Sequence, residues 1–187
     1  MNIVILGGNG YVGKELVKQW LVRDKDAQFL LISRSGNNPF NDPRVKAAKA
    51  DATDAASIES VLPSHVDCMV CLVGGMESAE QNIAPVKAMN TVASAHDIQR
   101  LGYGSGSVVV TPFTQSKAEA CALLRKSGKH VTIVEPTLIY GAGRNDALAK
   151  MVPLLKFFSL FSKSMKPVRV EDVATQLIDG LDNKLDK

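Results

Sequence analysis

Several residue types and patterns are scarce in this chain of 187 residues, and each scarcity removes a class of function. Only three cysteines occur, Cys68, Cys71 and Cys121, an odd number with no disulfide framework, which points to a reducing compartment. The three histidines, His65, His96 and His130, lack the cysteine or carboxylate spacing of a metal site, so no metal is expected. No apolar run reaches the roughly 18 to 20 residues that a transmembrane segment requires. Basic tracts are missing as well: the net charge of +3 comes from 22 basic and 19 acidic residues spread along the chain, so no nucleic-acid partner is expected. Neither a signal peptide nor an Arg-rich leader precedes the first apolar run, and a leader already removed would lie outside these residues. Internal repeats and low-complexity linkers are absent. With 45% hydrophobic residues, the whole of 1–187 reads as one domain with a full-sized core.

What is present is alternation. The runs NIVIL (2–6), QFLLIS (28–33), RVKAAKA (44–50), VDCMVCLV (66–73), SVVVT (107–111) and HVTIVE (130–135) read as strands, several apolar almost throughout, as strands covered on both faces must be. Helical patterns fall between them. Residues 11–24 place Val12, Leu16, Val17, Trp20 and Leu21 on one face, and 54–62, 81–101 and 112–128 continue the alternation. The last of these has Thr111 as N-cap, Pro112 in its first turn and Gly128 as its stop. Such an order specifies an α/β fold with a doubly wound, mostly parallel sheet, followed by a short C-terminal helical extension. The segment 35–42 (SGNNPFND) is the expected flexible loop. Cys68 and Cys71 form a C-x-x-C spacing, but residues three apart on a strand face opposite ways, which favours structural thiols over a redox or metal pair.

The stretch GGNGYVG, residues 7–13, follows the first strand and opens the first helix. Its glycines fit two templates, Gly8, Gly10 and Gly13 or Gly7, Gly10 and Gly13. In either, the backbone turns sharply enough to approach a pyrophosphate, whose charge is met by free N–H groups and the positive helix end. A tight turn with no ligand is the competing reading. At the end of the second strand, where NAD sites carry a ribose-binding carboxylate, stand Ser33, Arg34 and Ser35. A hydroxyl, a guanidinium and another hydroxyl favour NADP(H), with NAD(H) as the alternative and an ordinary solvated arginine as the bland one.

With these motifs in place, the chain resembles the atypical and extended branch of the short-chain dehydrogenase/reductase family, over nearly its whole length. GGNGYVG is similar to the first-turn motif of that Rossmann fold. ADATD (50–54) resembles the motif after strand three, which assigns Asp51, with Ala52, to the adenine. LVGG (72–75) lies where the chain passes the cofactor, which adds Val73 and Gly74. EPTLIYGAG (135–143) resembles the R-P-x-x-x-Y-G segment beside the nicotinamide and implies roles for Pro136, Thr137 and Ile139. PVRVEDVA (167–174) is similar to the P-V-H-V-x-D-V-A signature. The resemblance thus implies a cofactor set of Gly7, Gly8, Asn9, Gly10, Tyr11, Val12, Gly13, Ser33, Arg34, Ser35, Asp51, Ala52, Val73, Gly74, Lys117, Pro136, Thr137 and Ile139. Within the branch, GGNGYVGK with SRSG looks closest to relatives of the NAD(P)-binding accessory subunit of respiratory complex I and of a coenzyme Q biosynthesis factor. That likeness implies a complex subunit and leaves the mitochondrial matrix and the cytoplasm both open.

Departures from the family pattern bear on chemistry. The family's catalytic lysine lies four residues after a tyrosine; Lys117 matches the lysine, and Phe113 stands where the phenol belongs. Thr111, read as the end of strand five, is a tentative second catalytic residue, and the loop that should separate it from the tyrosine position is read as absent. Thr111 and Thr114 are far weaker acids than a phenol, and Tyr140 is a candidate acid by proximity alone. Glu135 replaces the arginine of the R-P pair. Fewer than fifty residues follow Tyr140, too few for the larger substrate lobe of sugar epimerases, so 145–187 reads as a reduced substrate or partner region. Residues 145–166 carry an apolar arc, Met151 to Phe161, broader than one core-facing stripe needs. A substrate lid, a protein-partner surface at 151–161, an interfacial membrane helix and simple cover by the C-terminal segment all remain open. The expected function is a non-catalytic or regulatory nucleotide-binding protein; a reductase of a quinone-like or other apolar acceptor is the alternative.

Overall fold

The computed structural model describes residues 1–74, 78–104, 112–136, 139–142 and 167–182, with the backbone alone at 112–114. Four strands form where the early apolar runs place them: β1 (Asn2–Leu6), β2 (Gln28–Ser33), β3 (Val45–Lys49) and β4 (Cys68–Cys71). They join β5 (Arg100–Gly104) and β6 (His130–Val134) in one six-stranded sheet of order β3-β2-β1-β4-β5-β6, parallel at every pairing. The doubly wound α/β architecture is therefore present, as a single Rossmann-like domain.

Both faces of the sheet are covered, which is why its strands carry few polar residues. One face packs under α1 (Tyr11–Arg23) and α5 (Val170–Asp182), where Leu16, Val17 and Trp20 meet Val173, Leu177 and Leu181. The other lies under α2 (Ala55–Glu59), α3 (Glu80–Ala95) and α4 (Pro112–Arg125), with Ile58, Val86, Met89 and Leu124 in its core. Cys68 belongs to the first core and Cys71 to the second, so their sulfurs lie on opposite sides of the sheet. Burial pushes the Cys71 thiol up to about 12, far from a thiolate at neutral pH.

The fifth strand corrects the sequence reading. Residues 81–101 do not form one helix: α3 stops at Ala95, Asp97 takes a positive φ of 52°, and the chain re-enters the sheet as RLGYG. Two glycines weaken the strand signal, because a glycine neither favours extended backbone nor packs a side chain. The run 107–111, read as strand five, lies outside the described residues, as does Thr111. β5 ends at Gly104 and α4 begins at Pro112, and the residues between them, where the separating loop was read as absent, lie outside the described ones.

A two-stranded parallel pair, β7 (Ile139–Tyr140) with β8 (Val168–Arg169), was not foreseen, since two residues are too few to display a period. The apolar segment 145–166, including 151–161, lies outside the described residues. The loop 35–42 is anchored: Asn38 Nδ2 donates to Val45 O at 2.7 Å, and Phe40 packs against the α1-side core. Among the described residues, no helix is long and apolar enough to cross a membrane.

Candidate nucleotide site

The strand order reverses between β1 and β4, whose continuing connections lead to opposite edges of the sheet. In open α/β sheets such a reversal marks the ligand crevice beyond the strands' carboxyl ends, and the glycine loop follows directly on the carboxyl end of β1. Gly7 has φ of +81°, and its N–H donates to Ile32 O at 2.9 Å, which ties the loop to β2. An added Cβ at Gly13 would lie 2.6 Å from Gly8 Cα and O, so the first turn of α1 rests directly on the loop. Gly10 is the N-cap of α1, with no side-chain cap bond, and no acidic residue stands in the first turn of the helix. Its positive end therefore carries no internal anion, and the loop is packed so closely that a Cβ on Gly8 would lie 2.7 Å from Leu31 Cδ2.

Asn9 joins this loop to the tip of β2. Its Nδ2 donates to Ser33 Oγ at 3.1 Å and also to Asn37 O, and Ser33 Oγ in turn accepts from the Gly36 N–H at 3.1 Å. Ser33 and Ser35 bring their hydroxyls within 3.4 Å of each other. Arg34 is exposed and makes no ion pair among the described residues. On the neighbouring strand end, Asp51 accepts from both the amide (2.9 Å) and the hydroxyl (2.7 Å) of Thr53, while Ala52 is buried. Those two bonds, amide first, hold the Asp51 carboxyl below its ordinary value, with Arg34 adding to the effect. A depressed folded-state pKa contributes stability above the unfolded value of about 3.9, and the contribution is lost as pH falls through the folded value. Thr53→Val keeps the amide bond and removes the hydroxyl, so the Asp51 titration followed by NMR moves upward; an unmoved midpoint would show that the hydroxyl plays no part.

On the other side of the crevice, Val73 touches the glycine loop: its Cγ2 lies 3.1 Å from where a Cβ on Gly7 would sit. A Cβ on Gly74 would fall 2.9 Å from Asn82 Oδ1, and the fully buried Asn82 donates to buried Ser116 Oγ at 3.2 Å. This pair ties α3 to α4 one residue before Lys117. Lys117 is half-buried, and burial lowers its pKa. Glu135 turns toward α4, near Cys121 Sγ (3.6 Å) and Arg125 (3.7 Å). Burial first, then the Glu135 charge, pushes the Cys121 thiol up to about 11.

Pro136 is buried, Ile139 and Tyr140 are half-buried in β7 or beside it, and Thr137 lies outside the described residues. Tyr11 reaches across from the glycine loop, its hydroxyl donating to Gly141 O at 2.6 Å. Glu171 accepts from the Ala142 amide (3.3 Å) and pairs with Arg169. Sequence reasoning missed Asn82, Ser116 and Glu171; Asn82 stands in a helix that also carries Glu80, Gln81, Lys87 and Asn90, so nothing in the sequence marks it out. Among the described residues, no group of three His, Cys, Asp or Glu side chains could hold a metal.

The profile of the NAD(P)H-binding family matches residues 7–184, from the glycine loop to the last helix. The chain belongs to the NAD(P)H-binding family. None of the curated proteins matches it. Solved structures similar to this NAD(P)H-binding protein include a GalE-like L-threonine dehydrogenase from Cupriavidus necator in its holo form, at 14% identity and a TM-score of 0.76, with 100% of this chain and 74% of that one covered. The dTDP-glucose 4,6-dehydratase of Bacillus anthracis, in complex with NAD, gives 18% identity and a TM-score of 0.75 over 98% and 72%. A Rossmann-fold NAD(P)-binding family protein of Shigella flexneri gives 17% and 0.72 over 99% and 88%. At these identities the likeness is one of fold alone, that of a Rossmann-like domain.

Proposed function

We propose that this protein binds NADP(H) and serves mainly as a non-catalytic or regulatory nucleotide-binding subunit or assembly factor. The observation that carries the reading is on α4, where Phe113 stands one helical turn before Lys117. A positioned general acid typically contributes about 100 to 10,000-fold to a rate, and a phenylalanine offers no proton. The backbone of Gly7, Gly8, Asn9, Gly10, Tyr11, Val12 and Gly13 would hold the pyrophosphate. Ser33, Arg34, Ser35, Asp51 and Ala52 would hold the adenosine half, and Val73, Gly74, Lys117, Pro136, Thr137 and Ile139 the nicotinamide half. The bound nicotinamide supplies hydride chemistry in proteins that use it so.

Support for NADP(H) over NAD(H) comes from the tip of β2, which carries two hydroxyls and a guanidinium where a carboxylate would repel the 2′-phosphate. Arg34→Ala is expected to weaken NADPH about tenfold or more and NADH by less than about twofold, measured by calorimetric titration. Equal losses would remove the assignment.

A second reading, reduction of a quinone-like or other apolar acceptor, is favoured by Lys117, which is half-buried and pairs with no carboxylate among the described residues. Purified protein with NADPH and quinone or enone acceptors separates the two. Tightly held nucleotide without turnover supports the first; turnover that falls in Lys117→Ala supports the second. As a subunit, the chain would meet partners through 151–161 in a complex, in mitochondria or elsewhere, and would co-purify with them in fixed proportion.

A further inference from the structure

Resting on the reading of the cofactor as NADP(H), we infer that Lys49 is a second cation for the 2′-phosphate, acting with Arg34 across the ends of β2 and β3. Lys49 is the last residue of β3 and the register partner of Ser33, the last residue of β2. Along these strands Phe29, Leu31 and Val45 pack on the α1 side of the sheet, so by the period-two alternation Ser33 and Lys49 project to that same side. The direction of Ser33 is confirmed by its bond to Asn9 of the glycine loop. The lysine stem therefore rises beside the hydroxyl that faces the pyrophosphate cradle.

The turn after β2 is built around this stem. Gly36 has φ of +68°, and a Cβ placed on it would lie 3.0 Å from Lys49 Cβ and 3.1 Å from Lys49 N. The chain thus folds back over Lys49 with no side chain interposed, and the Ser33 and Ser35 hydroxyls border the same spot. The Lys49 side chain is exposed and has no hydrogen bond or ion pair among the described residues, so its ammonium is uncommitted.

Charge balance gives Lys49 its importance. A phosphomonoester carries about −1.5 to −2 at neutral pH. Arg34 brings one positive charge, and Asp51, two residues beyond β3, sets one negative charge against it. Without Lys49 the strand ends would present no net positive charge to a doubly charged group; with it they do. Arg34 supplies the planar fork and Lys49 the excess charge.

Calorimetric titration of the full chain with NADPH and NADH tests the assignment. Lys49→Ala should weaken NADPH about tenfold and NADH less than about twofold, and Lys49→Arg should recover most of the NADPH affinity. If Lys49→Ala leaves the NADPH-to-NADH ratio of the parent intact while Arg34→Ala lowers it, Lys49 has no such role and the NADP(H) reading stands. Equal weakening of both nucleotides by Lys49→Ala also overturns the role. If the parent protein binds both nucleotides alike, the NADP(H) reading itself fails and takes this inference with it. An unchanged melting temperature, expected for an exposed strand end, shows that the affinities report on the site.

Discussion

Gly13→Val abolishes dinucleotide binding, with NADPH and NADH lost together by more than about 100-fold, and costs about 3 kcal/mol of stability. The reason is local and geometric. The first branch atom of any side chain at this position would overlap Gly8 Cα and its carbonyl oxygen, each 2.6 Å away, and both are backbone. A flexible neighbour could rotate aside, but a peptide cannot. The glycine loop must lift off α1, and the N–H groups proposed to hold the pyrophosphate then diverge. Thermal melts and nucleotide titrations read the two losses separately. A valine variant with parental melting temperature and affinity would mean that the loop does not rest on the helix as described.

Trp20→Ala produces the other large change, a destabilisation of about 3 to 5 kcal/mol, while leaving the NADPH-to-NADH preference untouched. Trp20 is fully buried between α1 and the sheet, with its ring edge-on to Phe29 at a centroid distance of 6.0 Å. Truncation leaves a cavity at the centre of the α1-side core. Trp20→Phe recovers most of the loss, since it keeps an aromatic ring against Phe29. It also removes an indole Nε1 that is buried without a hydrogen-bond partner, itself a cost to the folded state. Chemical denaturation of the two variants gives the comparison; a phenylalanine variant as unstable as the alanine one would show that shape, not apolar area, governs this position.

The first half of the fold was readable because its signals are local. In residues 2–33, an apolar strand, a glycine turn, an amphipathic helix and a second apolar strand each declare themselves within a few residues. The difficulty begins at Ala95. There α3 gives way to RLGYG, whose two glycines hide a central strand, while the apolar run 107–111 offers a more convincing pattern just beyond it. Central position between β4 and β6 makes RLGYG a strand, and no property of those five residues announces it.

The site divides the same way. Its glycine loop is legible because a sharp turn followed by a helix imposes residue types at fixed spacing. Asn82 and Ser116 are 34 positions apart, and Tyr11 and Gly141 are 130 apart. Pairs so distant leave no pattern in a single sequence, since nothing in the chain around either partner specifies the other. Lys49 falls between these cases. Its position is an ordinary exposed strand end until the register with Ser33 and the turn at Gly36 are known.

Tyr11 and Glu171 together make the C-terminal helix inseparable from the nucleotide cradle. The phenol of the glycine loop holds Gly141, the carboxylate of α5 holds Ala142, and Gln19 on α1 donates to Glu171 O at 3.1 Å. Beneath these bonds, Val173, Leu177 and Leu181 roof the same core that contains Trp20. A fragment ending before residue 167 would expose that core along the whole length of α1, so neither a nucleotide-binding half nor a detachable tail can be cut from this sequence as an independent module.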